Sequence, residues 1–296
     1  MASVAELTRV RDFLRLVTIE HSVFALPFAY ASALTAMTLR TGRVNWADLF
    51  WITVAMVGAR TFAMAANRVI DRHIDARNPR TARRELVTGV VSVRTAWTGA
   101  AVAAVVLLIA AAALNPLCLA LAPLALVPLV VYPYGKRFTT WPHAILAVAQ
   151  LVGPVGAWLG VTGTLAGSAP AWVLGIAVGL WIGGFDLIYA CQDAEVDTRI
   201  GVRSVPARYG VAFALRLSAA VHVVTVVLLA LFGALVGLGW LWWLGLAAAS
   251  AALVYEHAIV SPADLSRVNR AFFTANGFVG IALFVFALLD LLVSWP

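Results

Sequence analysis

The chain has 296 residues, of which 62% are hydrophobic and 12% are charged, and its formal net charge is +7. Soluble domains average about 45–50% apolar and about 25% charged residues, so this composition excludes an ordinary soluble protein. It predicts an all-α, polytopic membrane protein, and we expect residues 1–296 to form a single integral-membrane domain.

Nine apolar segments are each long enough to cross a bilayer, which takes about 20 residues. Residues 1–15, ahead of the first, are charged and lack a small-residue cleavage site, which predicts a cytoplasmic amphipathic segment and not a removed signal peptide. In chain order the predicted spans are residues 16–39, 47–68, 93–114, 116–134, 143–163, 170–191, 212–235, 238–257 and 271–293.

The basic residues predict the orientation of these spans. If the N-terminus is cytoplasmic, all but two of the 21 lysines and arginines fall on the cytoplasmic side. Arg60 and Arg68 are counted there with the second loop, and only Arg40 and Arg43 fall outside. This asymmetry follows the positive-inside rule, so it explains the net charge without a nucleic-acid partner. It also places the ends of the even-numbered spans at the cytoplasmic face.

A first acidic motif lies at the end of the second predicted span. Asn67, Asp71 and Asp75 recur every four residues, which puts them on one helical face about 5–6 Å apart. Carboxylates at membrane depth are costly and usually functional. Their oxygens are the ligands that Mg²⁺ prefers, completed by water and substrate phosphates. These three residues are therefore candidate metal ligands.

The loop after this motif, residues 76–85, is rich in arginine and includes Arg80 and Arg84. Arginine binds phosphate in a bidentate manner and stays charged. A carboxylate–metal site beside such a loop suits a diphosphate. For the arginines alone, anchoring the topology is an equally good interpretation.

A second acidic motif follows the sixth predicted span. Asp186, Tyr189, Asp193 and Asp197 are spaced by three, four and four residues, which predicts one face of a continuous helix. Asp193 and Asp197 are candidate metal ligands, whereas Glu195 lies off this face. Asp186 is the deepest and requires a polar cavity or a partner.

Two further polar clusters remain ambiguous. The segment Tyr132 to Arg137, Y-P-Y-G-K-R, suits either interfacial anchoring or a role in the site. Glu20 and His21 suit either a structural pair or a contact with substrate. The other histidines, His73, His143, His222 and His257, show no metal-ligand spacing and are predicted to be structural or interfacial.

Together these blocks resemble the UbiA superfamily of intramembrane aromatic prenyltransferases over nearly the whole chain. One departure is Arg68, which stands where many members have Asp. The stretches around the motifs, with E-H-S-V-F-A-L-P-F-A from Glu20 to Ala29, are most similar to the 4-hydroxybenzoate polyprenyltransferase branch, which includes relatives acting on 1,4-dihydroxy-6-naphthoate. The blocks are N-x-x-x-D-x-x-x-D from Asn67 to Asp75, R-N-P-R-T-A-R-R-E-L from Arg77 to Leu86, Y-P-Y-G-K-R, and D-x-x-Y-A-x-x-D-x-x-x-D from Asp186 to Asp197.

The resemblance implies Mg²⁺-dependent transfer of a polyprenyl group from a polyprenyl diphosphate to one of these aromatic acids, in ubiquinone or menaquinone biosynthesis. The isoprenoid would lie toward membrane lipid, in a prokaryotic cell membrane with the site toward the cytoplasm. The implied roles are metal binding for Asn67, Asp71, Asp75, Asp193 and Asp197, diphosphate binding for Arg80, Arg84, Lys136 and Asn67, and catalysis for Asp186, Tyr189 and Tyr132.

Three alternatives remain open at this point. A cation-coupled transporter also carries intramembrane acids, but its sites usually lie near the midplane and not beside arginines at span ends. A related enzyme could use another acceptor, such as haem or a chlorophyll precursor. A third possibility is an isoprenoid cyclase without an aromatic partner.

Overall fold

The computed structural model describes residues 26–294 together with Phe13 and Leu16. The predictions for the amphipathic segment and for Glu20 and His21 therefore lie outside the described residues. Within the described part the fold is helical, and the only extended pairing there is one isolated bridge between Ser261 and Asp264.

In the described part of the chain, nine helices of 16 residues or more correspond in position to the nine predicted spans, the first of them described only from Leu26. Seven of them, all except α1 and α8, are long and apolar enough to cross a membrane, so the predicted count is confirmed for seven. The long helices are α1 (Leu26–Thr41), α2 (Trp46–Asp75), α3 (Val93–Leu114), α4 (Pro116–Phe138), α5 (Pro142–Thr162), α6 (Ala169–Ala190), α7 (Val211–Val236), α8 (Trp240–Ala258) and α9 (Asn276–Ser294). Shorter helical segments are Glu85–Thr88, Cys191–Asp193, Ala194–Ile200, Val205–Tyr209, Val268–Arg270 and Ala271–Ala275.

Helix α2 is longer than the predicted span, because it continues beyond residue 68 to Asp75. Its 30 residues make about 45 Å of helix, compared with about 30 Å for the hydrocarbon core of a bilayer. The first acidic motif therefore occupies the last turns of a helix that extends past the core. The assignment of Arg60 to the cytoplasmic loop is wrong, because Arg60 lies inside α2, fifteen residues before its end.

Helix α6 packs between α5 and α7, and it approaches α5 through a row of glycines. Gly175, Gly179 and Gly183 recur every fourth residue, so they share one face. A Cβ at Gly175 would lie 2.9 Å from the carbonyl oxygen of Leu151, and one at Gly179 would overlap the carbonyl oxygen of Ala147. Small residues allow such backbone contact between membrane helices. The α5–α6 spacing therefore depends on these glycines.

We predict that Gly179→Ala destabilises the folded protein, because the added methyl group meets the α5 backbone, which cannot move aside as a side chain would. Overpacking of this kind costs about 1–3 kcal/mol. The measurement is thermal unfolding in detergent. Gly156→Ala is the matched control, since a Cβ there meets no atom within 4 Å. Equal unfolding temperatures for the two variants would contradict the proposed packing.

Candidate functional site

Asp71 is buried at the junction of α2 and α4. Its side chain is 1% exposed and accepts hydrogen bonds from Lys136 Nζ at 2.6 Å and from Arg137 Nη1 at 3.1 Å. Arg137 also donates to the carbonyl oxygen of Ile70 at 2.5 Å. Lys136 was predicted from the sequence to belong to the site. Arg137 was not, because a basic residue at a span end is also expected from the positive-inside rule.

Asp75 is buried one turn further along α2 and pairs with Arg84. Nη1 of Arg84 lies 2.7 Å from each oxygen of the Asp75 carboxylate. The loop between them folds back on itself, and the Thr81 hydroxyl donates to the carbonyl oxygen of Asp75 at 3.0 Å. The arginine-rich loop is therefore fixed against the end of α2, and Arg84, predicted from the sequence to bind diphosphate, is paired here with Asp75.

Contacts between the two acidic motifs run through Asp193. Arg80 donates to this carboxylate from Nε at 3.0 Å and from Nη2 at 2.5 Å, and Asn78 donates from Nδ2 at 2.9 Å. The Arg80 Nη1 also donates to the Tyr189 hydroxyl at 3.0 Å. Burial alone would lower the pKa of Arg80, but the hydrogen bond and charge of Asp193 outweigh it and raise that pKa. Asn78 is a contact that sequence analysis missed.

The second motif does not lie on one continuous α-helix, which corrects the predicted common face. Helix α6 ends at Ala190, a 3₁₀ turn spans Cys191–Asp193, and a new helix spans Ala194–Ile200. Asp197 is buried on this new helix, where it accepts a hydrogen bond from Ser204 Oγ at 3.0 Å. Asp193 and Asp197 nevertheless lie close enough for the charge of one carboxylate to act on the other.

Asp186 pairs with a histidine that sequence analysis interpreted as structural. Nδ1 of His143, at the start of α5, lies 2.6 Å from Oδ2 of Asp186. The other ring nitrogen of His143 is buried and has no hydrogen-bond partner among the described residues. The half-buried Tyr132 lies within electrostatic range of Asp186 and Asp71. This pair could not be found from the sequence, because its members lie 43 residues apart on different helices.

The position of Arg60, like that of His143, changes the role that the sequence suggested for it. It is half-buried inside α2, and its Nε is buried without a hydrogen-bond partner in the described part of the chain. Tyr132 lies within electrostatic range of it. A guanidinium at this depth is costly, so it points to an anionic partner. The neighbouring Arg68 donates to the backbone of Leu16 at 3.3 Å instead, and Asn67 is half-buried one turn before Asp71.

The residues of the two acidic motifs are suited to binding a divalent cation that prefers oxygen ligands. The candidate ligands offer four aspartate carboxylates and one asparagine amide oxygen, and three of these carboxylates, Asp71, Asp75 and Asp197, are buried. Mg²⁺ prefers such oxygen donors together with phosphate. Asn67, Asp71, Asp75, Asp193 and Asp197 are the residues that could hold it.

The fold and site define an all-α integral membrane protein with one cluster of carboxylates and cations, built from the ends of α2, α4 and α6. The chain matches the UbiA prenyltransferase family model over residues 25–279, and it belongs to this family. It is therefore a membrane prenyltransferase.

Two relatives are 4-hydroxybenzoate octaprenyltransferases. The protein from Cupriavidus necator is 32% identical, over 94% of this chain and 96% of its own length. The protein from Alkalilimnicola ehrlichii is 33% identical, over 82% of this chain and 83% of its own length.

Solved structures show the same fold. An apo UbiA homolog from Aeropyrum pernix has a TM-score of 0.84 and 34% identity, covering 92% of this chain and 98% of that one. A UbiA homolog from Archaeoglobus fulgidus bound to GPP and Mg²⁺ has a TM-score of 0.66 and 20% identity, covering 94% of this chain and 99% of that one. At 20% identity, this second likeness shows the fold alone.

Proposed function

We propose that this protein transfers a polyprenyl group from a polyprenyl diphosphate to the ring of 4-hydroxybenzoate, with Mg²⁺ as cofactor. The two relatives support this acceptor, because both bear the name 4-hydroxybenzoate octaprenyltransferase. The ligands of the Archaeoglobus fulgidus homolog support a prenyl diphosphate and Mg²⁺. The acceptor 1,4-dihydroxy-6-naphthoate, used in menaquinone biosynthesis, remains an outcome that a turnover assay distinguishes.

The observation that carries the proposal is the contact between the loop after the first motif and the second motif. Asn78 and Arg80, from the loop after α2, donate three hydrogen bonds to Asp193, which follows α6. The carboxylate of Asp193, in the second motif, and the guanidinium group of the loop after the first motif therefore belong to one site. A diphosphate needs both kinds of group, since metal ions held by carboxylates and direct cations bind the same cluster of oxygens.

In this proposal, substrate binding changes which groups the cations and carboxylates of the site contact. Arg80, Arg84 and Lys136 each bond a carboxylate of the acidic motifs. The same cations bind the oxygens of an incoming diphosphate, which frees the carboxylates of Asp71, Asp75 and Asp193 to hold Mg²⁺ with Asn67 and Asp197. Bound Mg²⁺ supplies positive charge that stabilises the leaving diphosphate.

In the transfer, the bond between the allylic carbon and the diphosphate oxygen breaks, and its electron pair leaves with the diphosphate. Arg80, Arg84 and Lys136 neutralise the charge that develops there. The acceptor ring carbon ortho to the phenol forms the new carbon–carbon bond, and the ring then loses a proton. Asp186, oriented by His143 at 2.6 Å, assists by accepting a proton from the acceptor. Tyr132 and Tyr189 line the site.

In this proposal Arg60 binds the carboxylate of the aromatic acceptor. This guanidinium belongs to a residue inside α2 about three helical turns before Asp71, and it interacts electrostatically with Tyr132. Its Nε is buried without a hydrogen-bond partner among the described residues, and the planar guanidinium group is suited to binding a carboxylate. An acceptor held there at one end presents its phenol end toward the Asp71 and Asp186 region.

The substrates and the orientation fit a membrane setting. The isoprenoid tail is as apolar as lipid, so it extends between helices toward the bilayer, whereas the diphosphate stays at the rim. The distribution of arginines and lysines supports a cytoplasmic site in a prokaryotic cell membrane. The family match over residues 25–279 supports a single prenyltransferase domain.

The test is a turnover assay of the purified protein with geranyl diphosphate and Mg²⁺, with each aromatic acid supplied separately. We expect prenylated 4-hydroxybenzoate, loss of product with EDTA, and no turnover in Asp71→Ala or Asp193→Ala, because each variant removes a metal ligand. Glu195→Ala is the matched control, since Glu195 is exposed and lies outside the cluster.

Folding of each variant is checked by size-exclusion chromatography. Wild-type rates in both aspartate variants would contradict the metal site. If product forms only with 1,4-dihydroxy-6-naphthoate, the proposed acceptor is wrong but the proposed prenyl transfer stands. No product with either acid, from folded protein, would refute the proposed acceptor class.

For Arg60→Gln, we predict a lower kcat/KM for 4-hydroxybenzoate by about 10- to 100-fold, the effect of losing a hydrogen bond to a charged group. The KM for geranyl diphosphate should stay unchanged, because Arg60 lies on α2 about three helical turns before Asp71 and is not one of the cations proposed to bind the diphosphate. Steady-state kinetics with each substrate varied in turn provide the measurement. Arg43→Gln, an exposed arginine before α2, is the control. An equal loss for both substrates would argue against the carboxylate assignment.

A further inference from the structure

A second cluster of metal-binding residue types lies between α7 and α8, apart from the acidic motifs. His222 is in the middle of α7, and Glu256 and His257 are near the end of α8. Glu256 is 0% exposed and His222 is 2% exposed, while His257 is half-buried. The proposed prenyl transfer uses none of them, so their burial requires another explanation.

The three side chains present their ligand atoms to a common point. His222 Nδ1 lies 2.9 Å from His257 Nε2 and 3.5 Å from Glu256 Oε2, and the three ligand atoms all lie within 4.8 Å of one another. A tetrahedral ion with metal–ligand bonds of about 2.0–2.1 Å separates its ligand atoms by about 3.3 Å. The cluster thus requires only small side-chain adjustments to hold such an ion.

The outer contacts orient two of these ligands. Nε2 of His222 lies 3.1 Å from the carbonyl oxygen of Trp181, which can only accept, so Nε2 carries the proton and Nδ1 keeps its lone pair. Oε1 of Glu256 accepts from Asn276 Nδ2 at 2.7 Å, and Asn276 Oδ1 accepts from Trp181 Nε1 at 2.7 Å. Metal-binding histidines and carboxylates typically have such outer partners, which fix tautomer and direction.

Local backbone features hold this arrangement in place. Gly184 has no side chain, and a Cβ there would overlap the imidazole of His222. A π-helical segment, Ala271–Ala275, precedes Asn276, and the Asn276 side chain donates to the Ala271 carbonyl oxygen at 3.1 Å. Such π-helical turns occur frequently at functional sites.

One atom remains unsatisfied, and it points into the cluster. Oε2 of Glu256 is buried and has no hydrogen-bond partner among the described residues. A buried carboxylate oxygen without a partner is costly, and a positive ion satisfies it. We propose that His222, Glu256 and His257 form a binding site for a transition-metal ion such as Zn²⁺.

The donor set determines the class of ion. Two imidazole nitrogens and one carboxylate suit Zn²⁺ and similar first-row ions, whereas Mg²⁺ takes oxygen ligands. Three protein ligands occupy three corners of a tetrahedron and leave the fourth for water or another small ligand. The site therefore differs in chemistry from the oxygen-donor cluster at the ends of α2 and α6.

The test measures metal retention by the full chain in detergent. The protein is stripped with a chelator, incubated with Zn²⁺ in millimolar Mg²⁺, freed of excess metal by gel filtration, and analysed by mass spectrometry of the metal. We expect one Zn²⁺ per chain in the wild type and none in His222→Gln or His257→Gln. His73→Gln is the matched control, since this exposed histidine lies outside the cluster and should leave the stoichiometry unchanged.

Two further measurements separate this site from the acidic motifs. The double variant Asp71→Asn/Asp193→Asn should keep its Zn²⁺, because those carboxylates are not ligands here. Replacement by Co²⁺ should give the intense visible absorption of a tetrahedral nitrogen–oxygen site. If wild-type protein retains no Zn²⁺, the proposal is overturned whatever the variants do. Full retention by folded His257→Gln, or loss of all Zn²⁺ in the folded double aspartate variant, would also overturn it.

Discussion

The site depends on the pairing of buried carboxylates with cations at the end of the membrane-spanning bundle. Removing a charged group from water costs several kcal/mol even after relaxation, so an unpaired buried aspartate would be strongly destabilising. Asp71 has Lys136 and Arg137, Asp75 has Arg84, and Asp193 has Arg80. Because the partners belong to different segments, these ion pairs also hold the ends of α2, α4 and α6 together.

The packing of the span helices places the less polar chemistry deeper in the membrane. The glycine face of α6 brings α5 into backbone contact, and this contact puts His143 beside Asp186. Further inside, Arg60 and Tyr132 lie on α2 and α4, where an aromatic acid would be shielded from water. Polarity therefore decreases from the ion pairs at the ends of α2, α4 and α6 to Arg60 and Tyr132 within the helices, which is the order that the proposed binding of a diphosphate, an aromatic ring and an isoprenoid requires.

Much of this could be predicted from the sequence, because the signals are local. Apolar length predicted the helices, and the four-residue spacing of Asn67, Asp71 and Asp75 predicted their common face. The continuous face of the second motif was wrong, since the 3₁₀ turn at Cys191–Asp193 changes the helical phase without any Gly or Pro to signal it. Arg60 was counted as a topological charge, because spacing alone does not tell depth.

Contacts between distant residues could not be read from spacing. His143 and Asp186 lie on neighbouring helices, and His222 meets Glu256 and His257 only after α7 and α8 pack together. No pattern within one sequence indicates such pairs, so these histidines were all predicted to be structural or interfacial. The structure separates their roles, because His143 joins the acidic site while His222 and His257 join the second cluster.

The central claim is that carboxylates and cations from both acidic motifs form one Mg²⁺-dependent diphosphate site. Its most direct test is calorimetric titration of geranyl diphosphate into the purified wild-type protein, without acceptor, in Mg²⁺ and in EDTA. We predict saturable binding in Mg²⁺ and greatly weakened binding in EDTA, because the metal neutralises the carboxylates that the diphosphate meets. Equally tight binding in EDTA, or no binding in Mg²⁺, would contradict it.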